Sequence, residues 1–199
     1  MLPILLCSLA AVVGAAPGRA DMHGVPMPGA IEAPLFWDVQ AFPDGPTLTL
    51  NGTIQEMRRQ LLEINPSYDT DFNHHAAAAA AAVEKRTDFS GAKVLCGSEK
   101  WGVLTVRGYS EGIDYLRNHG GVPHMPAGPS ACSRVSCSYN TGIWWCNDAR
   151  EEKALLSFGS ISDGAVYIWT QCGNNSWKQV GGQVFHYTDW NVILRQQDC

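Results

Sequence analysis

The sequence is short of the features that define the commoner protein classes. After its first sixteen residues it has no apolar run approaching the roughly 20 residues that cross a bilayer, so the rest of the chain is expected to be soluble, with no membrane span. It has little charge, 17%, and no basic stripe: 14 Lys and Arg face 19 Asp and Glu, for a net charge of −5. Phosphate neutralisation is therefore not provided for, and nucleic acid is not expected as a partner. There is no G-x-S-x-G, no H-E-x-x-H and no glycine-rich phosphate loop, which removes the motif-defined hydrolases and nucleotide binders. The C-x2-C knuckles of common zinc sites are missing and no histidine stands at ligand spacing from the cysteines, so neither a metal nor a cofactor is expected. Residues 17–86 contain no cysteine at all.

The cysteines are concentrated elsewhere. Cys96, Cys132, Cys137, Cys146, Cys172 and Cys199 lie in the second half, and only Cys7 precedes them, inside the leading apolar run. Residues 1–16 end in small side chains and fit a secretory signal cut near Ala15 or Ala16. An even set of six cysteines in an exported chain predicts three disulfides, because the export pathway is oxidising, and several connectivities are open. Cys137 shares a strand face with Val135 and Tyr139, and Cys172 ends the apolar stripe of a helix, which suggests that these two cross from sheet to helix. The terminal Cys199 is expected to tie down the C-terminus.

The chain divides into three parts. After the signal at 1–16, residues 17–46 are rich in Pro, Gly and Ala and read as a linker or loosely ordered segment. Asn51-Gly52-Thr53 then opens a helix with Ile54, Met57, Leu61 and Ile64 at helical spacing, closed by Asn65-Pro66. His74 and His75 precede seven alanines; adjacent histidines point to different sides of a helix and make poor metal partners for one another. Lys85-Arg86 comes next, a dibasic pair of the kind cut by kexin-type proteases, at the point where composition turns aromatic and cysteine-rich. This places a pro-segment at 17–86 and a mature domain at 87–199, of 113 residues with nine Lys and Arg against ten Asp and Glu. Asn51 and Asn174 are glycosylation acceptors by pattern.

Within 87–199, Gly91–Cys96 reads as a first strand with a possible continuation at Gly102–Val106. Ser110 caps a helix that runs toward Arg117, and three prolines make 122–130 a loop. The alternation of Val135, Cys137 and Tyr139, a turn at Asn140-Thr141-Gly142, and Ile143-Trp144-Trp145 describe a hairpin. Asn147 or Asp148 caps a helix carrying Phe158, Ile161, Ala165, Ile168 and Cys172, and strands come after it at Gly182–Tyr187 and Trp190–Leu194. The order predicts an α+β domain, a disulfide-stapled split βαβ two-layer sandwich with an antiparallel sheet and two helices on one face.

The cysteine pattern, together with Gly112-Ile-Asp-Tyr-Leu116, Ile143-Trp-Trp-Cys-Asn-Asp148, Gly182-Gln-Val-Phe-His186 and Trp190-Asn-Val-Ile193, resembles small secreted cysteine-rich proteins of filamentous fungi. More distantly the layout resembles killer-toxin-like α/β sandwiches and extracellular necrosis-inducing effectors. The resemblance implies a secreted, extracellular monomer that binds a host or microbial target, and no family catalytic motif maps onto these residues. Trp101, Trp144, Trp177 and Trp190 read first as core and second as a contact surface. The alternatives are a small hydrolase, such as a ribonuclease built on His186 with Asp189 or Glu111 and Arg134 or Arg195, and a non-catalytic wall- or surface-associated protein.

Overall fold

The computed structural model describes residues 24–72, 86–173 and 179–199. The signal predicted at 1–16, His74, His75, Lys85, Asn174 and Trp177 lie outside the described residues.

The N-terminal segment is not a linker. It forms β1 (Ile31–Glu32), β2 (Phe36–Gln40) and β3 (Thr47–Asn51), then α1 (Ile54–Ile64) and the short α2 (Tyr68–Asp71). β2 alternates strictly, so Trp37 and Val39 face inward and are buried while Asp38 and Gln40 face outward. Phe42-Pro-Asp-Gly-Pro46 supplies the turn back to β3, with Asp44 in the left-handed region at φ 59°. The start of α1 is a capping box. Thr53 Oγ1 accepts from the Glu56 amide, and the Thr53 amide donates to Glu56 Oε2 at 2.6 Å, which holds the Glu56 carboxyl below its ordinary range. Ile54, Met57 and Leu61 fall on one face and are buried.

The second half adds β4 (Val94–Cys96), α3 (Ser98–Trp101), α4 (Val106–Asn118), β5 (Val122–Met125), β6 (Ala131–Ser138), β7 (Thr141–Asn147), β8 (Lys153–Ala154), α5 (Phe158–Cys172), β9 (Gly182–His186) and β10 (Trp190–Gln196). One sheet has the order β1-β6-β7-β10-β9-β4 and the other β3-β2-β5-β8. Every pairing is antiparallel except β1 on β6. The α+β class and its disulfide staples are as the sequence predicts. β7 and β9 run parallel, joined through α5, with β10 seated between them. The second sheet, to which the N-terminal segment contributes two strands, is additional to the sandwich predicted from residues 87–199.

Directly opposed residues share a face of the larger sheet. Ile143, Trp145, Val184, Val192 and Leu194 look toward α4 and α5, and belong to the main core. The helices approach closely because glycine faces the sheet. A Cβ on Gly108 would stand 2.2 Å from the Ser138 carbonyl, and one on Gly164 would stand 2.7 Å from Val192 Cγ2. The opposite face carries a smaller cluster of Cys132, Trp144, Cys146 and Ile193, closed by Trp101 from α3 and by Met27 and Ala30. Residues 24–30 thus cross the back of the sheet, where Arg195 Nη1 donates to the Val25 carbonyl at 3.1 Å.

The main core runs through both halves. Ala33, Leu35, Trp37, Val39, Ala41, Ile54, Met57, Leu61 and Tyr68 are buried in the same cluster as Ile113, Leu116, Phe158, Ile161 and Ile168. Burying one large apolar side chain is worth about 1.5–3 kcal/mol. Six such side chains from the N-terminal segment supply about 10 kcal/mol or more, the size of a whole domain's net stability of about 5–15 kcal/mol. The fold therefore does not begin at residue 87.

Several local expectations are corrected. The hairpin turns on Tyr139 and Asn140, both at positive φ, with Ser138 opposite Thr141; Gly142 is already in β7. α4 is capped by Thr105, whose hydroxyl accepts from the Gly108 amide, and so starts a turn earlier than Ser110. Residues 102–106 do not continue β4: α3 precedes them, and Val103 makes only an isolated bridge to Val180. Residues 122–125 are a strand despite Pro123, whose carbonyl accepts from the Leu155 amide at 3.0 Å. Asn147 caps no helix. It lies in β7, and its side-chain amide donates to the carbonyls of Pro126 and Glu151. Ser157 precedes α5 instead.

The disulfides are Cys96–Cys172, Cys132–Cys146 and Cys137–Cys199. The predicted link between Cys137 and Cys172 is not formed. A bulge between Arg134 and Ser136 shifts the alternation of β6, so Ser136 shares the helix-facing side with Ile143 while Cys137 lies opposite Gly142 on the other face. Sheet and helix are joined from the edge strand β4 instead, and Cys199 does anchor the C-terminus.

Candidate functional site

The predicted site residues are dispersed. Trp101, Trp144 and Trp190 are each 2% exposed, so these three are core and not a contact surface. Glu111 accepts from Ser138 at 2.5 Å and pairs with Arg107, at the end of the larger sheet where β6 turns into β7. Arg195 lies five residues along β10 from Trp190, which is the residue paired with His186, and at about 3.4 Å per residue this separates the two by about 17 Å. Arg134 sits opposite Trp144 in mid-sheet. Neither of the two predicted arginines therefore stands beside His186. Asn51 is exposed at the end of β3, and Arg86 is exposed.

His186 itself is held as a neutral donor. Its ring packs among Tyr187, Trp190 and Phe89, with centroids 4.3, 4.8 and 5.2 Å away. Thr188 closes a small chain: Trp190 Nε1 donates to Thr188 Oγ1 at 2.9 Å, and that hydroxyl meets His186 Nδ1 at 2.8 Å. The Thr188 amide also donates to Nδ1, which makes Nδ1 the acceptor and leaves the proton on Nε2. Burial pushes the imidazole below its ordinary range, and Lys153 acts in the same direction against a smaller opposing pull from Asp88. The basic nitrogen is thus already occupied, which is unsuited to taking a proton from a substrate.

A cleft of about 250 Å³ opens elsewhere, at the seam between the two halves of the chain. Asp38, Val39 and Gln40 of β2 and Thr47 of β3 form one side, Tyr68 and Phe72 supply aromatic surface, and Gly120-Gly121 present backbone from the α4–β5 connection. Gly121 is required there. It sits at φ 129°, and a Cβ would lie 2.5 Å from Val39 Cγ1 and 2.9 Å from the Asp38 carbonyl. Tyr68 and Phe72 rings lie 4.8 Å apart, and burial drives the Tyr68 phenol up to about 12, so it stays protonated.

Asp38 borders the cleft through its backbone, while its side chain faces the outer side of the second sheet. Its Oδ1 accepts from Thr49 Oγ1 at 2.7 Å and lies 3.3 Å from His124 Nε2, while His124 Nδ1 lies 3.3 Å from Glu152 Oε1. The two carboxylates flank opposite nitrogens of the imidazole and cannot converge on one ion. Among the described residues no group of His, Cys, Asp or Glu is arranged to hold a metal. The cleft offers an aromatic wall from Tyr68 and Phe72, the aliphatic side chain of Val39 and the peptide groups of Gly120 and Gly121, surfaces suited to packing against a ring. Its volume lies just below the 300–1,000 Å³ typical of sites enclosing a whole drug-sized ligand, and suits a single ring or side chain.

These residues were hidden by the composition of 17–46. The alternation of Phe36-Trp-Asp-Val-Gln40 and Thr47-Leu-Thr-Leu-Asn51 about a Pro-Asp-Gly-Pro turn is the signal that finds them. No protein-family model, curated protein or solved structure matches the chain. No helix among the described residues is long and apolar enough to cross a membrane.

Proposed function

We propose that this is a secreted, disulfide-stapled effector or toxin-like protein that acts outside the cell as a monomer, by binding a component of a host or competing microbe, and that the seam cleft makes the contact. One observation carries the choice of binding over catalysis: the cleft gathers aromatic and peptide surface from Tyr68, Phe72, Gly120 and Gly121, whereas His186 is tied to Thr188 away from Glu111, Arg134 and Arg195. Three disulfides are compatible with life in an oxidising compartment. The cysteine-bearing half is read as a split βαβ sandwich, supported by the β7–α5–β9 crossover around β10. The wall-associated and hydrolase readings are its competitors.

The test applies the oxidised full chain to plant tissue and to fungal and yeast cultures, beside Thr47→Trp, which fills the cleft from its rim, and Glu99→Ala as a surface control. Necrosis or growth arrest that is lost only in Thr47→Trp is the expected result. Equal activity of Thr47→Trp removes the cleft from the reading. Hydrolysis of RNA that disappears in His186→Ala replaces it with the hydrolase.

A further inference from the structure

The sequence contains two dibasic pairs, Arg58-Arg59 and Lys85-Arg86, and the fold treats them differently. Arg58-Arg59 lies inside α1, with Arg58 paired to Asp69 and Arg59 Nη1 2.6 Å from Glu63. A protease needs extended backbone, so this pair is protected as long as α1 is folded. Arg86 is exposed and lies outside any helix or strand.

Immediately beyond Arg86 the chain enters a receptor for a nitrogen. The Thr87 amide donates to Asp163 Oδ2 at 2.9 Å, and Thr87 Oγ1 lies 2.9 Å from Ser160 Oγ. The Asp163 side chain is only 16% exposed, and its other oxygen lies 3.6 Å from Arg117 Nη2. Arg117 is itself steadied by donating through Nε to Ser162 at 2.9 Å. Two residues on, Phe89 is buried against Trp190 and Tyr167, which fixes the chain just beyond Thr87. Burial raises the Asp163 carboxyl above its ordinary range, against the opposing pull of the Thr87 amide and of Arg117 and Arg86.

We propose that cleavage after Arg86 yields a two-chain protein in which the new α-ammonium of Thr87 forms an ion pair with Asp163 while the N-terminal chain stays bound. This rests on the reading that the chain is exported and processed. The reaction is hydrolysis by a dibasic-specific endoprotease. Water adds across the Arg86–Thr87 bond, its oxygen going to the Arg86 carbonyl carbon to give a carboxylate and its protons to the Thr87 nitrogen to give an ammonium. The bond that breaks holds the only covalent path between the parts, since residues 17–86 contain no cysteine. The N-terminal chain is retained without a covalent bond, through the buried Trp37, Ile54, Met57 and Leu61 and through the pairing of β1 with β6 and of β2 with β5.

The test treats the oxidised, purified full chain with a kexin-type endoprotease under native conditions. Cutting is expected after Arg86 and not after Arg59. The product separates into two pieces on a non-reducing denaturing gel but elutes as one species from a sizing column. The Thr87 α-amine is expected to react with an acylating reagent at least tenfold more slowly in the native two-chain protein than after denaturation, because its pKa rises above the ordinary value of about 8. Asp163→Asn should abolish that protection. So should one alanine inserted between Arg86 and Thr87, which displaces the amine and leaves Asp163 intact should the first variant fail to fold. A Thr87 amine that reacts equally fast before and after denaturation, or a 87–199 piece that elutes alone, overturns the proposal. The N-terminal sequence of protein from culture medium tests export and processing separately. An intact Arg86–Thr87 bond there refutes the processing and leaves the result on the cut protein standing.

Discussion

Replacing Trp37 by alanine measures whether the N-terminal segment is part of the core. Trp37 is fully buried, packs edge-on to Phe158 with centroids 4.1 Å apart, and donates through Nε1 to the Gly52 carbonyl at 2.6 Å. Truncating a buried tryptophan to alanine costs about 3–5 kcal/mol. At about 2–4 °C per kcal/mol for a chain of this size, the melting temperature should fall by about 10 °C. Trp37→Phe keeps most of the packing and loses the hydrogen bond, which is worth about 1 kcal/mol. Urea unfolding of the oxidised protein, followed by tryptophan fluorescence and near-ultraviolet circular dichroism, gives both values. A double-mutant cycle with Phe158→Leu isolates the ring contact, expected to couple by about 0.5–1.5 kcal/mol. The reasoning is refuted if Trp37→Ala shifts stability by less than about 0.5 kcal/mol, the range of an ordinary surface substitution. Residues 24–46 would then be the linker that their Pro, Gly and Ala content suggests.

Three further outcomes are expected. The disulfides should rank by the loop they close: Cys96–Cys172 spans 76 residues and Cys132–Cys146 spans 14, so removing the first by paired Cys→Ser changes should cost about 4.5 kcal/mol against about 3 for the second. Denaturation midpoints in the reverse order would show that native-state packing outweighs loop entropy. Gly108→Ala, which on an exposed helix gains about 1 kcal/mol, should here cost about 1–3 kcal/mol because the added carbon meets the Ser138 carbonyl; a stabilised variant would mean α4 moves freely off the hairpin. His186 is held neutral by burial, so the unfolded chain protonates first as pH falls past about 6.5 and stability is lost progressively below that value. Urea midpoints between pH 7.5 and 5 should therefore fall more steeply in the wild type than in His186→Gln, and parallel curves would count against the burial of the ring.

How much of this was legible depended on whether the signal was local. The β6–β7 hairpin announces itself through alternation and a polar turn, and α5 through one apolar stripe from Phe158 to Cys172. β2 and β3 alternate just as clearly, but they are short and lie among prolines and glycines, so composition outweighed period. β5 was concealed by Pro123, which still serves the sheet through its carbonyl. The bulge at Val135 leaves no mark in the spacing, yet it decides which face Cys137 occupies and hence the disulfide pattern. The cleft was not legible at all, because Asp38, Tyr68 and Gly121 meet only once the second sheet exists. The receptor for Thr87 is similar: Asp163 and Arg117 come from two helices that the topology alone brings together.

The placement of β1 bears on how the protein behaves at high concentration. β6 runs eight residues along one border of the larger sheet, and unpaired strand borders recruit other chains. Here β1 covers the start of that border, opposite Ala131 and Cys132. The Ile31 and Ala33 amides donate to the carbonyls of Ser130 and Cys132, and Gln55 at the start of α1 reaches Ser136 Oγ at 2.7 Å. The far border is β4, three residues long, flanked by Lys93 and tethered through Cys96. The β4 side therefore offers only a short template for strand addition, and on the β6 side β1 and α1 stand over part of the strand. Stripping away residues 24–64 would uncover the whole of β6 and is expected to favour association through the sheet.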